Sequence, residues 1–152
     1  MKLRLAALLF ATLNVTLCFA ADPNLGTWKL NETQPKIESG FPRTTTVVYE
    51  AAGDHVKATF DGIGYDGEAT HGQWLGKFDG KDYPVVGDHY ADMRSMKQID
   101  DHTMELTITK GGKVTLSGLV VVAGDGKTRT LTTNGIDAEG RKVQRIFVYD
   151  KQ

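Results

Sequence analysis

In Thr103-Met104-Glu105-Leu106-Thr107-Ile108-Thr109-Lys110, the apolar Met104, Leu106 and Ile108 alternate with polar side chains. A period of two is typical of a β-strand that has one buried face and one face in water. The stretch His55 to Asp61 repeats the pattern, with Val56, Ala58 and Phe60 on one side. These two stretches therefore predict strands of an antiparallel sheet with a single buried face.

Turn signals separate further stretches rich in Val, Ile, Thr, Tyr and Phe, the residue types that strands favour. Asp-Gly and Gly-Gly pairs suit tight hairpins because glycine adopts a positive φ without strain. Such pairs occur at Asp66-Gly67, Asp79-Gly80, Gly111-Gly112 and Asp125-Gly126. The pattern predicts ten strands, which are Leu25–Asn31, Thr44–Ala51, His55–Asp61, Ala69–Phe78, Lys81–Val86, Met93–Ile99, Thr103–Lys110, Lys113–Val122, Thr128–Ile136 and Arg141–Asp150.

Short connections join nearly all of these strands, so the chain is predicted to form a meander. The exception is Glu32 to Arg43, an irregular segment that contains Pro35 and Pro42. A long meander must protect its two edge strands, and closure into a barrel does so. We therefore predict an all-β fold, an up-and-down antiparallel β-barrel of about ten strands. A two-sheet sandwich is the alternative, but it needs long crossing connections that this chain lacks.

The first twenty residues have the composition of a secretory signal. Lys2 and Arg4 precede an apolar run from Leu5 to Leu17, and Cys18-Phe19-Ala20 places small residues at the positions that a signal peptidase reads. The run is too short to span a bilayer, which takes about 20 residues. An uncleaved membrane anchor is the alternative to cleavage after Ala20.

Cleavage there makes residues 1–20 a signal peptide and residues 21–152 a single domain, secreted or periplasmic. Cys18 is the only cysteine, so the mature chain has none. Lipid attachment at Cys18 requires a small preceding residue, and Leu17 is not small. We therefore expect no lipid anchor, and no transmembrane segment remains after cleavage.

The charge balance excludes the usual footprint of a nucleic-acid partner. The whole chain has 18 basic and 19 acidic residues, and removal of Lys2 and Arg4 leaves 16 against 19, a net charge of −3. Nucleic-acid binders are typically basic. No catalytic motif, nucleotide-binding loop or metal-ligand spacing is present, and the histidines at 55, 71, 89 and 102 are scattered. We predict no metal, no cofactor and no enzymatic activity.

Two short motifs at the ends of the mature chain, Gly26-Thr27-Trp28-Lys29-Leu30 and Arg145-Ile146-Phe147-Val148-Tyr149-Asp150, resemble a known superfamily. They are similar to the calycins, which comprise lipocalins and fatty-acid-binding proteins, and most of all to the ten-stranded fatty-acid-binding branch. The whole chain also resembles uncharacterised bacterial secreted proteins described as lipocalin-like. The resemblance implies a barrel in which Trp28 seals one end and Arg145 packs across it as a structural plug.

The chain departs from the fatty-acid-binding pattern in two respects. The segment Glu32 to Arg43 is too short for the two-helix lid of that branch. In addition, the branch reads the ligand carboxylate with an Arg-x-Tyr motif on its last strand. Alignment on Tyr149 places Phe147 at the arginine position, with Arg145 two residues earlier on the same face. The carboxylate site of the branch therefore cannot be carried over directly.

Side-chain alternation predicts which residues line the interior of the barrel. Arg94 shares its face with Met96, and an inward arginine needs a partner or water; in the alternative, Met93 faces inward and Arg94 is solvated. Trp74 and Phe78 share a face with two glycines. The candidate ligand-binding residues are Tyr49, Phe60, Trp74, Phe78, Arg94, Met96, Met104 and Tyr149.

The sequence leaves three classes of function open. The first is an exported barrel that binds a small hydrophobic or amphipathic anionic ligand, such as a fatty acid. The second is an envelope interaction or inhibitor protein whose barrel is packed and ligand-free, and which acts through its loops. The third is an enzyme built on the barrel, which a fold alone never excludes. We favour the first class, since apolar walls around an inward cation suit an amphipathic anion.

Overall fold

The computed structural model describes residues 22–33, 41–136 and 140–152, and their regular structure is entirely β. The strands are β1 (Gly26–Leu30), β2 (Arg43–Ala52), β3 (His55–Ile63), β4 (Ala69–Gly76), β5 (Tyr83–Val86), β6 (Met93–Gln98), β7 (Thr103–Lys110), β8 (Lys113–Val122), β9 (Thr128–Ile136) and β10 (Lys142–Lys151). The ten predicted strands are therefore confirmed. The predicted signal peptide and most of the irregular segment from Glu32 lie outside the described residues. Across the described ranges, no helix has the length and apolarity needed to cross a membrane.

The ten strands form one closed antiparallel barrel in which each strand pairs with its neighbours in the sequence. The first strand closes the barrel because it pairs on both sides: Trp28 lies opposite Val47 of β2 and opposite Lys151 of β10. The predicted up-and-down barrel is confirmed, and it is the architecture that the calycin resemblance implies. Closure leaves neither edge strand exposed.

The hairpin between β7 and β8 shows how the sequence fixes the strand connections. Gly111 and Gly112 are its two loop residues, and both have a positive φ, of 56° and 73°. Two consecutive positive φ values match the twist of the flanking strands, but side chains disfavour them. The Gly-Gly pair therefore sets a two-residue turn at this position.

The two ends of the barrel differ in packing. We call the end where β1 begins the base and the opposite end the mouth. At the base, the Trp28 Nε1–H donates to the Asn24 carbonyl at 3.0 Å, and the Lys151 Nζ donates to the Pro23 carbonyl at 3.2 Å. Towards the mouth, the inward side chains of Ile108 and Leu116 are only partly buried. The described residues therefore close the base, whereas Ile108 and Leu116 near the mouth keep part of their surface exposed.

Candidate functional site

Charged residues of the strands are segregated between the two faces of the barrel wall. Side chains alternate along each strand, so the buried residues identify the inward positions. The acidic residues of the strands all occupy outward positions and are Glu50, Asp61, Glu105 and Asp150. Cations also occupy inward positions, which are held by Arg94, Arg129, Arg145 and Lys151. The inward positions of the described strands therefore carry positive charge and no carboxylate.

Arg94 of β6 lies inside the barrel. Its Cζ is 3.8 Å from the centroid of the Phe60 ring, and its neighbour Met96 is fully buried. Met93 is 37% exposed, so the alternative register with Met93 inward is wrong. Burial lowers the pKa of Arg94, and Arg129 lowers it further, whereas Tyr49 opposes this shift. An arginine remains protonated in proteins even so, because its ordinary pKa exceeds 12.

Arg129 of β9 is a second inward cation, and the sequence analysis missed it. Only 4% of its surface is exposed, and its Nε and Nη1 have no hydrogen-bond partner in the described part of the chain. Its Cζ lies 4.9 Å from the ring centroid of Tyr149 and 5.3 Å from those of Tyr49 and Trp28. Cation–π attraction to these rings offsets only part of the cost of the buried charge.

Neither guanidinium has a carboxylate partner. The ion pairs formed among the described residues involve neither Arg94 nor Arg129. Asp88 of the β5–β6 connection is the acid that acts on Arg94: it lies against the inward side of Gly72, and its charge raises the pKa of Arg94 without forming an ion pair. The interior therefore holds two guanidinium groups without an ion-pair partner among the described residues, of which Arg129 is buried and Arg94 is partly exposed.

Two buried phenols accompany the guanidinium groups. The Tyr49 hydroxyl donates to the Met96 Sδ at 3.5 Å, and the Tyr149 hydroxyl donates to the Thr44 carbonyl at 3.0 Å. Burial raises the pKa of Tyr149 to about 12, although Arg129 acts against this shift. The Tyr149 phenol is therefore neutral near pH 7 and serves as a hydrogen-bond donor.

Aromatic residues connect Arg94 to the rest of the core. Tyr49 contacts Phe60 edge to face at 6.3 Å between ring centroids, and Trp74 stacks on Phe78 at 6.4 Å. The Trp74 Nε1–H donates to the Arg94 carbonyl at 3.0 Å. The structure thus brings the candidate side chains into one interior cluster, composed of Tyr49, Phe60, Trp74, Phe78, Arg94, Met96, Met104 and Tyr149.

Gly76 allows this aromatic cluster to close. A side chain at this position would meet the rings of Trp74 and Tyr83, since a Cβ built on Gly76 collides with both. Gly76 therefore gives the Trp74 ring room to lie against the barrel wall.

The predicted packing of Arg145 across Trp28 is wrong. Lys151 and Arg129 are the cations beside the Trp28 ring, at 4.9 and 5.3 Å, whereas the Arg145 Cζ lies 3.7 Å from the centroid of Phe41. The strand register explains the difference, because Trp28 lies opposite Lys151. Arg145 precedes Lys151 by six residues, a distance of about 20 Å along a strand.

The strand register also shows which arginine lies beside Tyr149 in a chain that lacks the Arg-x-Tyr motif. Phe147 occupies the position where the resemblance implies an arginine, and it is buried. Arg129 lies directly across from Tyr149 on the neighbouring strand. The guanidinium beside the phenol thus comes from β9, whereas the fatty-acid-binding pattern places it on the last strand.

An apolar path runs around the barrel wall from Arg94, near the mouth. Strand register connects Arg94 to Ile108, then to Leu116, Gly135 and Val143 on successive strands. Beside this path lies an open cavity of about 430 Å³, and most of its lining side chains are exposed; they are Val114, Thr115, Leu116, Ser117, Asn134, Gly135, Lys142, Val143 and Gln144. This cavity lies at the mouth, where β8 and β10 begin and β9 ends.

Comparison with known proteins gives no match: no protein-family model, no curated protein and no solved structure matches this chain. The architecture therefore rests on the closed ten-stranded barrel itself, which is compatible with a calycin-like fold. A barrel of this size either fills with its own side chains or holds one small ligand. The charges within the barrel then become the main guide to its function.

Proposed function

We propose that this chain is a lipocalin-like barrel, closest in kind to the fatty-acid-binding branch, that binds a small amphipathic anion in its interior. The observation that carries the proposal is Arg129, a buried guanidinium with two unpartnered nitrogens, together with Arg94 in an interior to which the described strands contribute no carboxylate. An unpaired buried charge costs several kcal/mol, which a bound anion recovers. Guanidinium groups also match the geometry of carboxylate and phosphate oxygens.

The apolar path supports a ligand with a hydrocarbon tail. Ile108 and Leu116 are inward yet only partly buried, so they present apolar surface that a tail would cover. Burial of such surface contributes about 25 cal/mol per Å². With its head group at Arg94 and Arg129, the ligand places its tail against this apolar path.

We further propose binding rather than catalysis. The inward titratable groups are guanidiniums, an ammonium and phenols, and the pKa of Tyr149 is raised away from neutrality. General acid–base catalysis is most effective when the pKa lies near the working pH. The interior groups therefore suit electrostatic recognition better than proton transfer.

The first test is a titration with long-chain carboxylates, followed by tryptophan fluorescence. We expect micromolar binding, reported by Trp74 because its indole bonds the Arg94 backbone. Arg94→Met should weaken binding by tenfold or more, about 1.4 kcal/mol, since the substitution removes one head-group contact. Lys29→Met, on the outward face of β1, is the matched control and should bind like the unmodified protein.

Two results contradict the proposal. Either no fluorescence response to any amphiphile or equal affinities for the unmodified protein and Arg94→Met would favour the packed-barrel interaction protein. The dense packing at the base, where Trp28, Met96 and Met104 are fully buried, is the observation that favours this second candidate.

Export belongs to the proposal as well. We expect the mature protein to begin at Ala21 or Asp22, because Lys2 and Arg4, the apolar run and the small residues before the cleavage point have the order of a signal peptide. N-terminal sequencing of the secreted or periplasmic protein tests this expectation. A mature chain that begins at Met1, or one that carries lipid on Cys18, would contradict it.

A further inference from the structure

We infer that the interior site selects a dianionic head group, of the phosphate monoester kind, over a monoanionic carboxylate. The inference rests on the proposed function, because it concerns the same site. Its basis is the number of interior charges that lack a partner. Arg94 and Arg129 both face the interior and the described strands place no acid there, while Asp88 of the β5–β6 connection acts on Arg94 without forming an ion pair. A single negative charge on the ligand neutralises only one of the two guanidinium groups.

The other inward cations have positions away from this pair. Lys151 is held at the base, where its Nζ donates to the Pro23 carbonyl, and Arg145 stacks on Phe41. Arg94 and Arg129 are therefore the two inward cations that remain for a head group. Two positive charges that face the same interior are matched by an anion of charge −2.

The hydrogen-bonding groups also suit a tetrahedral oxyanion. A phosphate monoester presents three strong acceptor oxygens, compared with two for a carboxylate. Arg129 offers two unpartnered N–H groups, and Tyr49 donates its hydroxyl only to the Met96 sulfur, which is a weak acceptor. A phosphate oxygen is a stronger acceptor for this phenol than the thioether is.

Few titratable groups of the protein act on Arg94 from the elements around it. They are Tyr49 of β2, Arg129 of β9, Tyr149 of β10 and Asp88 of the β5–β6 connection. His102, directly before β7, has a buried Nδ1 without a described hydrogen-bond partner. A test based on pH therefore includes a ligand whose own charge is constant.

The test compares octyl phosphate, octyl sulfate, octanoate and inorganic phosphate by isothermal titration calorimetry at pH 5 and pH 8. The second pKa of a phosphate monoester is near 6, so the dianion falls to about a tenth of the total at pH 5. We expect octyl phosphate at pH 8 to bind at least tenfold more tightly than octyl sulfate or octanoate, a difference of about 1.4 kcal/mol. Its affinity should fall by about tenfold at pH 5, following the dianion fraction.

Octyl sulfate has the same tetrahedral shape with one fixed charge, so its affinity reports any titration of the protein and should stay constant. Inorganic phosphate distinguishes a free anion from an amphiphile head group, and we expect it to bind more weakly than octyl phosphate. In both Arg94→Met and Arg129→Met, the preference for octyl phosphate over octyl sulfate should disappear, whereas Lys29→Met should retain it. Thermal unfolding of each variant confirms that it is folded.

The outcomes separate the two hypotheses. Equal binding of the three amphiphiles, with no dependence on pH, would overturn dianion selection and leave the proposed anion-binding function intact. Absence of binding by every ligand would overturn both. Inorganic phosphate that binds as tightly as octyl phosphate would support the dianion and contradict an amphipathic ligand.

Discussion

Replacement of Trp28 by alanine is expected to lower the free energy of unfolding by about 3–5 kcal/mol, the range for deletion of a large buried aromatic side chain. Trp28 has no exposed surface, and its indole closes the base through the hydrogen bond to the Asn24 carbonyl. The Lys151 and Arg129 side chains lie beside the ring, so a cavity at this position has charged neighbours as well. Urea denaturation of the ligand-free protein measures the effect.

The matched control for this variant is Leu75→Ala. Leu75 lies on β4 and is 54% exposed, so its truncation should change the free energy of unfolding by less than about 0.5 kcal/mol. A loss below about 1 kcal/mol in Trp28→Ala would contradict the role of Trp28 as a structural plug. The expected loss does not depend on a ligand. Addition of an amphiphile should therefore leave the difference in free energy of unfolding between Trp28→Ala and Leu75→Ala unchanged.

The second large effect is an increase in the free energy of unfolding, caused by a substitution at Arg129. We expect Arg129→Met to raise the free energy of unfolding of the ligand-free protein by about 1–3 kcal/mol, because it removes a buried charge whose Nε and Nη1 have no described partner. Methionine retains most of the side-chain length and packs against apolar neighbours. The gain is reduced by the lost cation–π contacts with Trp28, Tyr49 and Tyr149.

The same substitution should weaken anion binding by at least tenfold, so stability and affinity move in opposite directions. Urea denaturation with and without octyl phosphate measures both quantities on one sample. Lys29→Met removes an exposed positive charge and should change neither. A variant that is less stable than the unmodified protein would show that the Arg129 charge stabilises the ligand-free barrel, and would remove the main support for an anion site.

The strand positions could be predicted from the sequence because the alternation of side chains and the turn residues indicate the same strand boundaries. The stretch Thr103–Lys110 has the same bounds in the structure as in the prediction, and the Gly-Gly pair after it forms the predicted hairpin. Arg94 was identifiable for a related reason, since Met96 on the same strand marks the inward face. Local pattern therefore determined both the strand and the orientation of its side chains.

The sequence also contains an indication that Arg129 faces inward, but it is weaker than that for Arg94. It shares an alternating face with Leu131 and Thr133, but the strand carries threonines on both faces. Such a strand does not show from its sequence which side is buried. The error over Arg145 has another cause, because the partner of Trp28 depends on the register between β1 and β10, which no local pattern determines.

The pairing of the first strand with the last has a kinetic consequence. The hydrogen bond from Lys151 to Pro23 joins residues 128 positions apart, and that from Asn31 to Asp150 joins residues 119 apart. Contacts at such separations form slowly, because the chain loses loop-closure entropy before they contribute any stability. During synthesis β1 therefore has no partner on one side until β10 has emerged, and until then the growing sheet keeps an open edge.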